Sequence, residues 1–155
     1  ADWLVIPVVI IGAYVLLRFV PNNQKFDTYS RVLLAGLTAY VVAKIAGLLF
    51  QPDGLRPFEQ LGVDAGASFL NNPGFPSDHA LFTMAITLAV LFGARHMKWG
   101  LVALTLTLLV GVGRIVALVH TPLDVIGGLL IACVGLVWYM PLRKPKHLAK
   151  NNVAI

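Results

Sequence analysis

Residues 32–50 read VLLAGLTAYVVAKIAGLLF, and the only charged side chain in this run is Lys44. The hydrocarbon core of a bilayer is about 30 Å thick, which an α-helix of roughly 20 apolar residues can cross. The run therefore predicts a membrane-spanning helix. The whole chain has the same character, because 58% of its 155 residues are hydrophobic and only 12% are charged, whereas soluble domains contain about 25% charged residues.

Four other apolar runs have a similar length, and they cover residues 3–20, 79–94, 99–119 and 122–142. Together with residues 32–50 they predict an all-α integral membrane protein, a bundle of about five transmembrane helices. A chain of this length has no room for a separate soluble domain, so we expect one transmembrane domain over residues 1–155. The longest connection is a loop rich in proline and glycine at residues 51–78.

Basic residues predict the direction in which the helices cross the membrane. They flank the first turn, the third connection and the tail, at Arg18, Lys25, Arg31, Arg95, Lys98, Arg143, Lys144, Lys146 and Lys150. Lysine and arginine accumulate on the cytoplasmic side of short membrane loops. We therefore expect a cytoplasmic C-terminus, with the loop at 51–78 and the turn at 120–122 on the outer face. Topology then explains the net charge of +5, which argues against nucleic acid as a partner.

Two cations lie inside the predicted spans. Lys44 and Arg114 are about five or six residues from the outer ends of their helices, or roughly 7 to 9 Å deep at about 1.5 Å per residue. A charge at that depth is unfavourable unless it faces a water-filled cavity or an anion. We therefore predict an anionic partner that both cations share. The alternative is that each side chain reaches back to the outer headgroups.

Three short polar motifs fall on the predicted outer face. They are Arg-Pro at 56–57, Pro-Ser-Asp-His at 76–79 and His-Thr-Pro-Leu-Asp at 120–124. With Lys44 and Arg114 they supply three cations, two histidines, a serine and two carboxylates. This combination is what a phosphate site with acid and base groups requires, and the planar fork of Arg56 suits phosphate oxygens.

The second motif coincides with the start of the predicted third span. Ser77 or Asp78 can cap this helix, and the N–H groups at a helix N-terminus favour a bound phosphate. Ser77 is equally consistent with a plain cap, and His79 with an interfacial residue that bonds to the loop. Asp78 would repel a phosphate, so its expected role is limited to capping or proton handling.

The third motif allows two interpretations. Thr121 can cap a helix in which Asp124 completes a capping box. Alternatively, Asp124 bonds one ring nitrogen of His120 and leaves the other free to attack phosphorus. Two histidines without a further ligand signature make a weak metal site, so we expect no catalytic metal and no cofactor.

The three motifs, with Lys44 before them and five residues between Arg114 and His120, resemble the signature of the type 2 phosphatidic acid phosphatase superfamily of membrane lipid phosphatases. The resemblance implies that His120 is the nucleophile, that Asp124 orients it and that His79 protonates the leaving group. It also implies that the phosphate is held by Lys44, Arg56, Ser77 and Arg114, with Asp78 in the same site. No metal takes part in this family's chemistry, and its members commonly have six spans.

Three departures from the family pattern affect these implications. Eleven residues separate Lys44 from Arg56 where the pattern has six, Asp78 stands in place of the usual glycine and Gly113 in place of a serine. The Pro-Ser-Asp-His version resembles the branch that acts on undecaprenyl diphosphate. The expected reaction is therefore hydrolysis of this lipid to undecaprenyl phosphate and phosphate, at the outer face of a bacterial plasma membrane.

Other functions fit the same residues. The phosphate group of phosphatidylglycerol phosphate, phosphatidic acid or a lipid A phosphate would present a similar head to the site. A transporter could use the intramembrane cations to pass anions, although it would not need a histidine–aspartate pair. An inactive lipid-binding scaffold is the remaining alternative. All of these have the bilayer and a membrane lipid or anion as partner.

Overall fold

A computed structural model describes residues 2–51, 54–69 and 74–140, and within these ranges all regular structure is helical. The described residues form six α-helices, which are α1 (Val5–Phe19), α2 (Lys25–Leu49), α3 (Pro57–Leu61), α4 (Asp78–Leu88), α5 (Met97–Val116) and α6 (Pro122–Ala132). A 3₁₀ turn, Asp2–Leu4, precedes α1, and a second one, Asn22–Gln24, precedes α2. A π-helical turn, Ala89–Gly93, continues α4, and a 3₁₀ segment, Cys133–Tyr139, continues α6.

Four of the helical stretches are long and apolar enough to cross a membrane, and they are Asp2–Phe19, Asn22–Leu49, Met97–Val116 and Pro122–Tyr139. The fifth apolar stretch, Asp78–Gly93, has 16 residues and is shorter. The predicted all-α membrane bundle is confirmed. The predicted end of the last span at residue 142 and the basic tail lie outside the described residues.

Two helices differ from the boundaries that hydropathy predicts. Helix α2 begins at Lys25, well before the apolar run at 32–50, and its polar first turns carry an Asp27–Arg31 ion pair of 3.0 Å. The loop at 51–78 contains α3, which the apolar pattern does not indicate. Local chemistry explains α3, since Pro57 is its first residue and the Glu59 carboxylate accepts the Arg56 N–H at 2.7 Å.

Helix α4 is the centre of the bundle and contacts α1, α2, α5 and α6. Its buried positions include the small or polar residues Ala80, Thr83 and Thr87, and the Thr87 hydroxyl makes a buried hydrogen bond of 2.9 Å to the Thr107 hydroxyl on α5. Such close contacts between small residues are how helices pack inside membranes, where large apolar side chains face lipid instead. A shorter helix therefore suffices at this position, because its neighbours surround it.

Gly128 sets the distance between α6 and the start of α4. A Cβ atom at Gly128 would lie 2.6 Å from the Ser77 carbonyl oxygen, so the two backbones approach closely only because this residue is glycine. The approach is held by a hydrogen bond of 3.0 Å from the Ser77 N–H to the Asp124 carbonyl oxygen. Two of the three polar motifs are thereby brought together.

Candidate active site

The eight predicted site residues lie at one end of the bundle. They come from the last turns of α2 and α5 and the first turns of α4 and α6, with Arg56 just before α3. Contacts link them into one cluster, whose members are Lys44, Arg56, Ser77, Asp78, His79, Arg114, His120 and Asp124. The other end of the bundle carries Arg31, which donates to the carbonyl oxygens of Trp138 and Met140.

His120 and Asp124 form a buried pair. Nδ1 of His120 lies 3.5 Å from Oδ2 of Asp124, and the two residues are each 5% exposed. This distance is at the long limit of hydrogen bonding, and Nδ1 has no hydrogen-bond partner in the described part of the chain. Catalytic hydrogen bonds are often long before substrate binds. The ring thus lies beside a carboxylate that can accept a hydrogen bond from its Nδ1–H group.

The same carboxylate caps α6. Oδ2 of Asp124 accepts the Thr121 N–H at 2.8 Å, and the Thr121 hydroxyl accepts the Asp124 N–H at 3.2 Å. The predicted capping box is confirmed, and it holds the oxygen that approaches His120. The structural and the functional interpretation of Asp124 are therefore compatible. The backbone at Gly74 passes close by, since a Cβ atom there would lie 3.2 Å from Oδ2.

Arg56 reaches the same region from the loop. Its guanidinium donates to the carbonyl oxygen of Val119, the residue before His120, at 2.5 Å, and lies over the Phe69 ring at 5.4 Å. Burial lowers the pKa of Arg56, and the nearby carboxylates of Asp124, Glu59 and Asp78 oppose this shift. An arginine stays protonated under such conditions, so a buried positive charge lies beside His120.

Arg114 is 1% exposed, so its side chain is enclosed by the protein. Its Nη1 atom is 2.6 Å from Oδ1 of Asp2, and Nη2 donates to the Ser68 carbonyl oxygen at 2.7 Å. Its Nε atom is buried and has no hydrogen-bond partner within the described ranges. Oδ1 of Asp2 also lies 3.6 Å from Nε2 of His79. Asp2 therefore connects Arg114 to His79.

Lys44 makes a separate ion pair. Its Nζ atom is 3.1 Å from Oδ1 of Asp78 and 5.1 Å from the centre of the Tyr40 ring. In the structure each of the two cations is paired with its own carboxylate, and an anionic partner that Lys44 and Arg114 share stays a prediction. The presence of Asp78 in a cationic site is also explained, since it neutralises Lys44.

Ser77 is fully buried and is the N-cap of α4, as its position predicts. Its hydroxyl accepts the Ala80 N–H at a long 3.5 Å. Sequence reasoning missed Asp2 and Ser68, both of which contact Arg114. Asp2 could have been found, because it is a carboxylate at the predicted outer end of the first span. Ser68 contributes a backbone carbonyl, which no sequence pattern reveals.

The helical membrane bundle and the three polar motifs at one of its ends are the features by which the family of this chain can be recognised. The sequence model of the PAP2 superfamily matches residues 28–147, and the chain belongs to this superfamily. It is a multi-pass membrane protein by its apolar helices and by this membership. No solved structure matches the chain.

Two curated relatives have similar sequences. The chain is 37% identical over 114 residues to undecaprenyl-diphosphatase BcrC of Bacillus subtilis, and this alignment covers 70% of the chain and 56% of the relative. It is 33% identical over 109 residues to the putative undecaprenyl-diphosphatase YbjG of Escherichia coli, and this second alignment covers 68% of the chain and 52% of the relative. The chain thus aligns with about half the length of each relative.

Proposed function

We propose that this protein is a lipid phosphatase that hydrolyses a polyprenyl diphosphate, undecaprenyl diphosphate in the first instance, to the lipid monophosphate and phosphate. The observation that carries the proposal is the buried His120–Asp124 pair, which lies beside the buried cation Arg56. The PAP2 match and the names of the two curated relatives support the same chemistry.

The proposed mechanism has two steps and needs His120, Asp124 and His79. Nε2 of His120 attacks the terminal phosphorus while Asp124 stabilises the charge that develops on the ring. The phosphoanhydride P–O bond breaks, and His79 gives a proton to the lipid monophosphate that leaves. Water then attacks the phosphorus of the phospho-histidine and gives a proton to His79. The P–N bond breaks, phosphate is released and both histidines return to their starting state.

The cations stabilise the charge on the phosphate oxygens during both steps. Arg56 and Arg114 are buried, so little water competes for their N–H groups, and fixed donors in such a site stabilise developing charge strongly. Ser77 and the first N–H groups of α4 provide further donors. Lys44 and Asp78 are more exposed, which fits a place at the margin of the site.

A groove beside the site supports a lipid substrate. Its volume is about 790 Å³, and it runs between α1, α2 and α4 with Lys44 and Asp78 at one end and Leu16 and Val32 at the other. Almost all of its lining is apolar. A hydrocarbon chain in this groove would place its head at Lys44, next to the phosphate site.

The proposed site faces the outer side of the membrane, and the C-terminus is cytoplasmic. The charge bias of the loops supports this orientation. Single cysteines in place of Leu55, near the site, and Lys98, at the other end, test it with a membrane-impermeant thiol reagent. The native Cys133 is first replaced by serine. We expect the reagent to label intact cells at position 55 only. Labelling at position 98 only would mean that the protein has the opposite orientation.

The activity itself is tested by phosphate release from undecaprenyl diphosphate in detergent with EDTA. The parent protein is compared with His120→Ala. Release from undecaprenyl diphosphate is also compared with release from phosphatidic acid, phosphatidylglycerol phosphate and a lipid A phosphate. We expect release that is fastest from the diphosphate and lost in the variant. Activity on glycerolipids alone would change the substrate, and release from no lipid would contradict the proposal.

A further inference from the structure

The Asp2 carboxylate lies between two side chains, Arg114 and His79, that contact the substrate in the proposed reaction. Oδ1 is 2.6 Å from Nη1 of Arg114 and 3.6 Å from Nε2 of His79. The second oxygen, Oδ2, accepts from the Ser68 N–H at 3.0 Å and the Ser68 hydroxyl at 2.8 Å. An anionic oxygen therefore already lies where an oxygen of a bound phosphate would contact Arg114.

Burial of Arg114 explains why an anion is present there. A guanidinium that is 1% exposed is strongly unfavourable without a counter-charge. In the described structure only Asp2 forms an ion pair with Arg114. A phosphate that binds Arg114 would supply the same charge, so the pair with Asp2 is needed only while the site is empty.

Asp2 can leave this position without opening the core. It belongs to the 3₁₀ turn Asp2–Leu4, which has no buried residue, and its side chain is 37% exposed. Its neighbour Trp3 is 83% exposed. Asp124 differs, because it is 5% exposed and is fixed by the cap of α6. Of these two carboxylates, Asp2 is therefore the one that a ligand can displace.

We propose that Asp2 competes internally with the substrate phosphate and thereby determines which anions the site accepts. It pairs with Arg114 in the empty site and is displaced when a phosphate binds. A terminal phosphate with two charges and three free oxygens replaces a single carboxylate with a net gain of charge-assisted hydrogen bonds. A phosphodiester headgroup has one charge, so it gains little, and the site stays closed to the bulk phospholipids around it. The proposal rests on the proposed function, because both assign a phosphate to this site.

The test compares Asp2→Asn with the parent, with Asp2→Glu and with Asp64→Asn. Asparagine keeps the shape of Asp2 and removes its charge, glutamate keeps the charge, and Asp64 is an exposed carboxylate of the loop that carries Ser68. The probe is inorganic phosphate, titrated against the thermal unfolding midpoint of the detergent-solubilised protein in EDTA. Orthovanadate inhibition of lipid hydrolysis is measured in parallel.

We expect Asp2→Asn to bind phosphate about tenfold more tightly than the parent, because the competing charge is gone, and to be inhibited by dioleoyl phosphatidylglycerol, a monoanionic phosphodiester. Asp2→Glu and Asp64→Asn should bind phosphate like the parent. Unchanged or weaker phosphate binding in Asp2→Asn would overturn the proposal. Since the titration does not depend on catalysis, a parent that hydrolyses no lipid would contradict the proposed function alone.

Discussion

Oδ2 of Asp124 lies 3.5 Å from Nδ1 of His120 and 2.8 Å from the backbone nitrogen of Thr121. One oxygen of Asp124 thus contacts the proposed nucleophile and also takes part in the cap of α6, the helix that begins two residues after His120. The two contacts can be separated by substitution, because the cap needs only a neutral acceptor whereas the histidine needs a negative charge.

Asp124→Asn should reduce turnover by a hundredfold or more, since the charge that stabilises the His120 ring during attack is lost. The amide oxygen still accepts the Thr121 N–H, so the thermal unfolding midpoint should change little. Thr121→Ala is the matched control, because it removes the other half of the cap, costs about 1 kcal/mol of stability and keeps the carboxylate. Turnover lost in Thr121→Ala and retained in Asp124→Asn would mean that Asp124 acts only as a cap.

Arg114→Lys should lower kcat/KM by about ten- to a hundredfold. The guanidinium bonds Asp2 and Ser68 through two different nitrogen atoms, and a lysine ammonium cannot reproduce this fork. Each charged hydrogen bond contributes about 1.5 to 3 kcal/mol. Arg95→Lys, an exposed position at the opposite end, should leave kcat/KM unchanged. Equal losses at the two positions would indicate a general effect of charge.

The Lys44–Asp78 pair should contribute little to stability. Its side chains are 44% and 36% exposed, and exposed ion pairs contribute up to about 1 kcal/mol. A double-mutant cycle with Lys44→Gln and Asp78→Asn, followed by thermal unfolding, should give a coupling energy below about 1 kcal/mol. Hydrolysis should fall several-fold in Lys44→Gln and stay at or above the parent rate in Asp78→Asn, where Lys44 is free to bind substrate. A clear loss in Asp78→Asn would instead give Asp78 a role in proton transfer.

Gly128→Ala should damage both stability and activity. Its Cβ atom would come within 2.6 Å of the Ser77 carbonyl oxygen, and a backbone atom cannot move aside as a side-chain tip does. Overpacking of this kind costs about 1 to 3 kcal/mol, and it would separate Ser77 from Asp124. Gly36→Ala in α2 is the control, because no described atom beyond its chain neighbours and the adjacent backbone of its own helix lies within 4 Å of its Cβ position. It should leave the unfolding midpoint unchanged or raise it, and a similar loss in both variants would contradict this account of the packing.

Hydropathy predicts the spans of this protein well, because a bilayer demands long apolar helices wherever the chain crosses it. It does not indicate the polar turns of α2 and α3, which carry the Asp27–Arg31 pair and the hydrogen bond from the Arg56 N–H to Glu59. These are local contacts that hydropathy does not measure. The turn Pro57-Phe58-Glu59 nevertheless carries a readable capping signal.

The sequence motifs predict the site residues that belong to them, and in the structure these residues lie together at one end of the bundle. Their pairing was not predictable, since it depends on which helix ends meet. Lys44 and Arg114 lie at similar depth, yet their carboxylates are Asp78 and Asp2. Asp2 was missed because it is far from the motifs in sequence and becomes part of the site only when α1 packs against α4 and α5.

The most direct test of the central claim is to trap the covalent intermediate. Undecaprenyl diphosphate labelled with ³²P in its terminal phosphate is mixed with the parent, quenched in alkali after milliseconds, and the protein is digested and mapped. We predict label on the peptide that contains His120, stable in alkali and lost in acid, and no label in His120→Ala. Label on another residue, or rapid hydrolysis by His120→Ala, would contradict the assignment of His120 as the nucleophile.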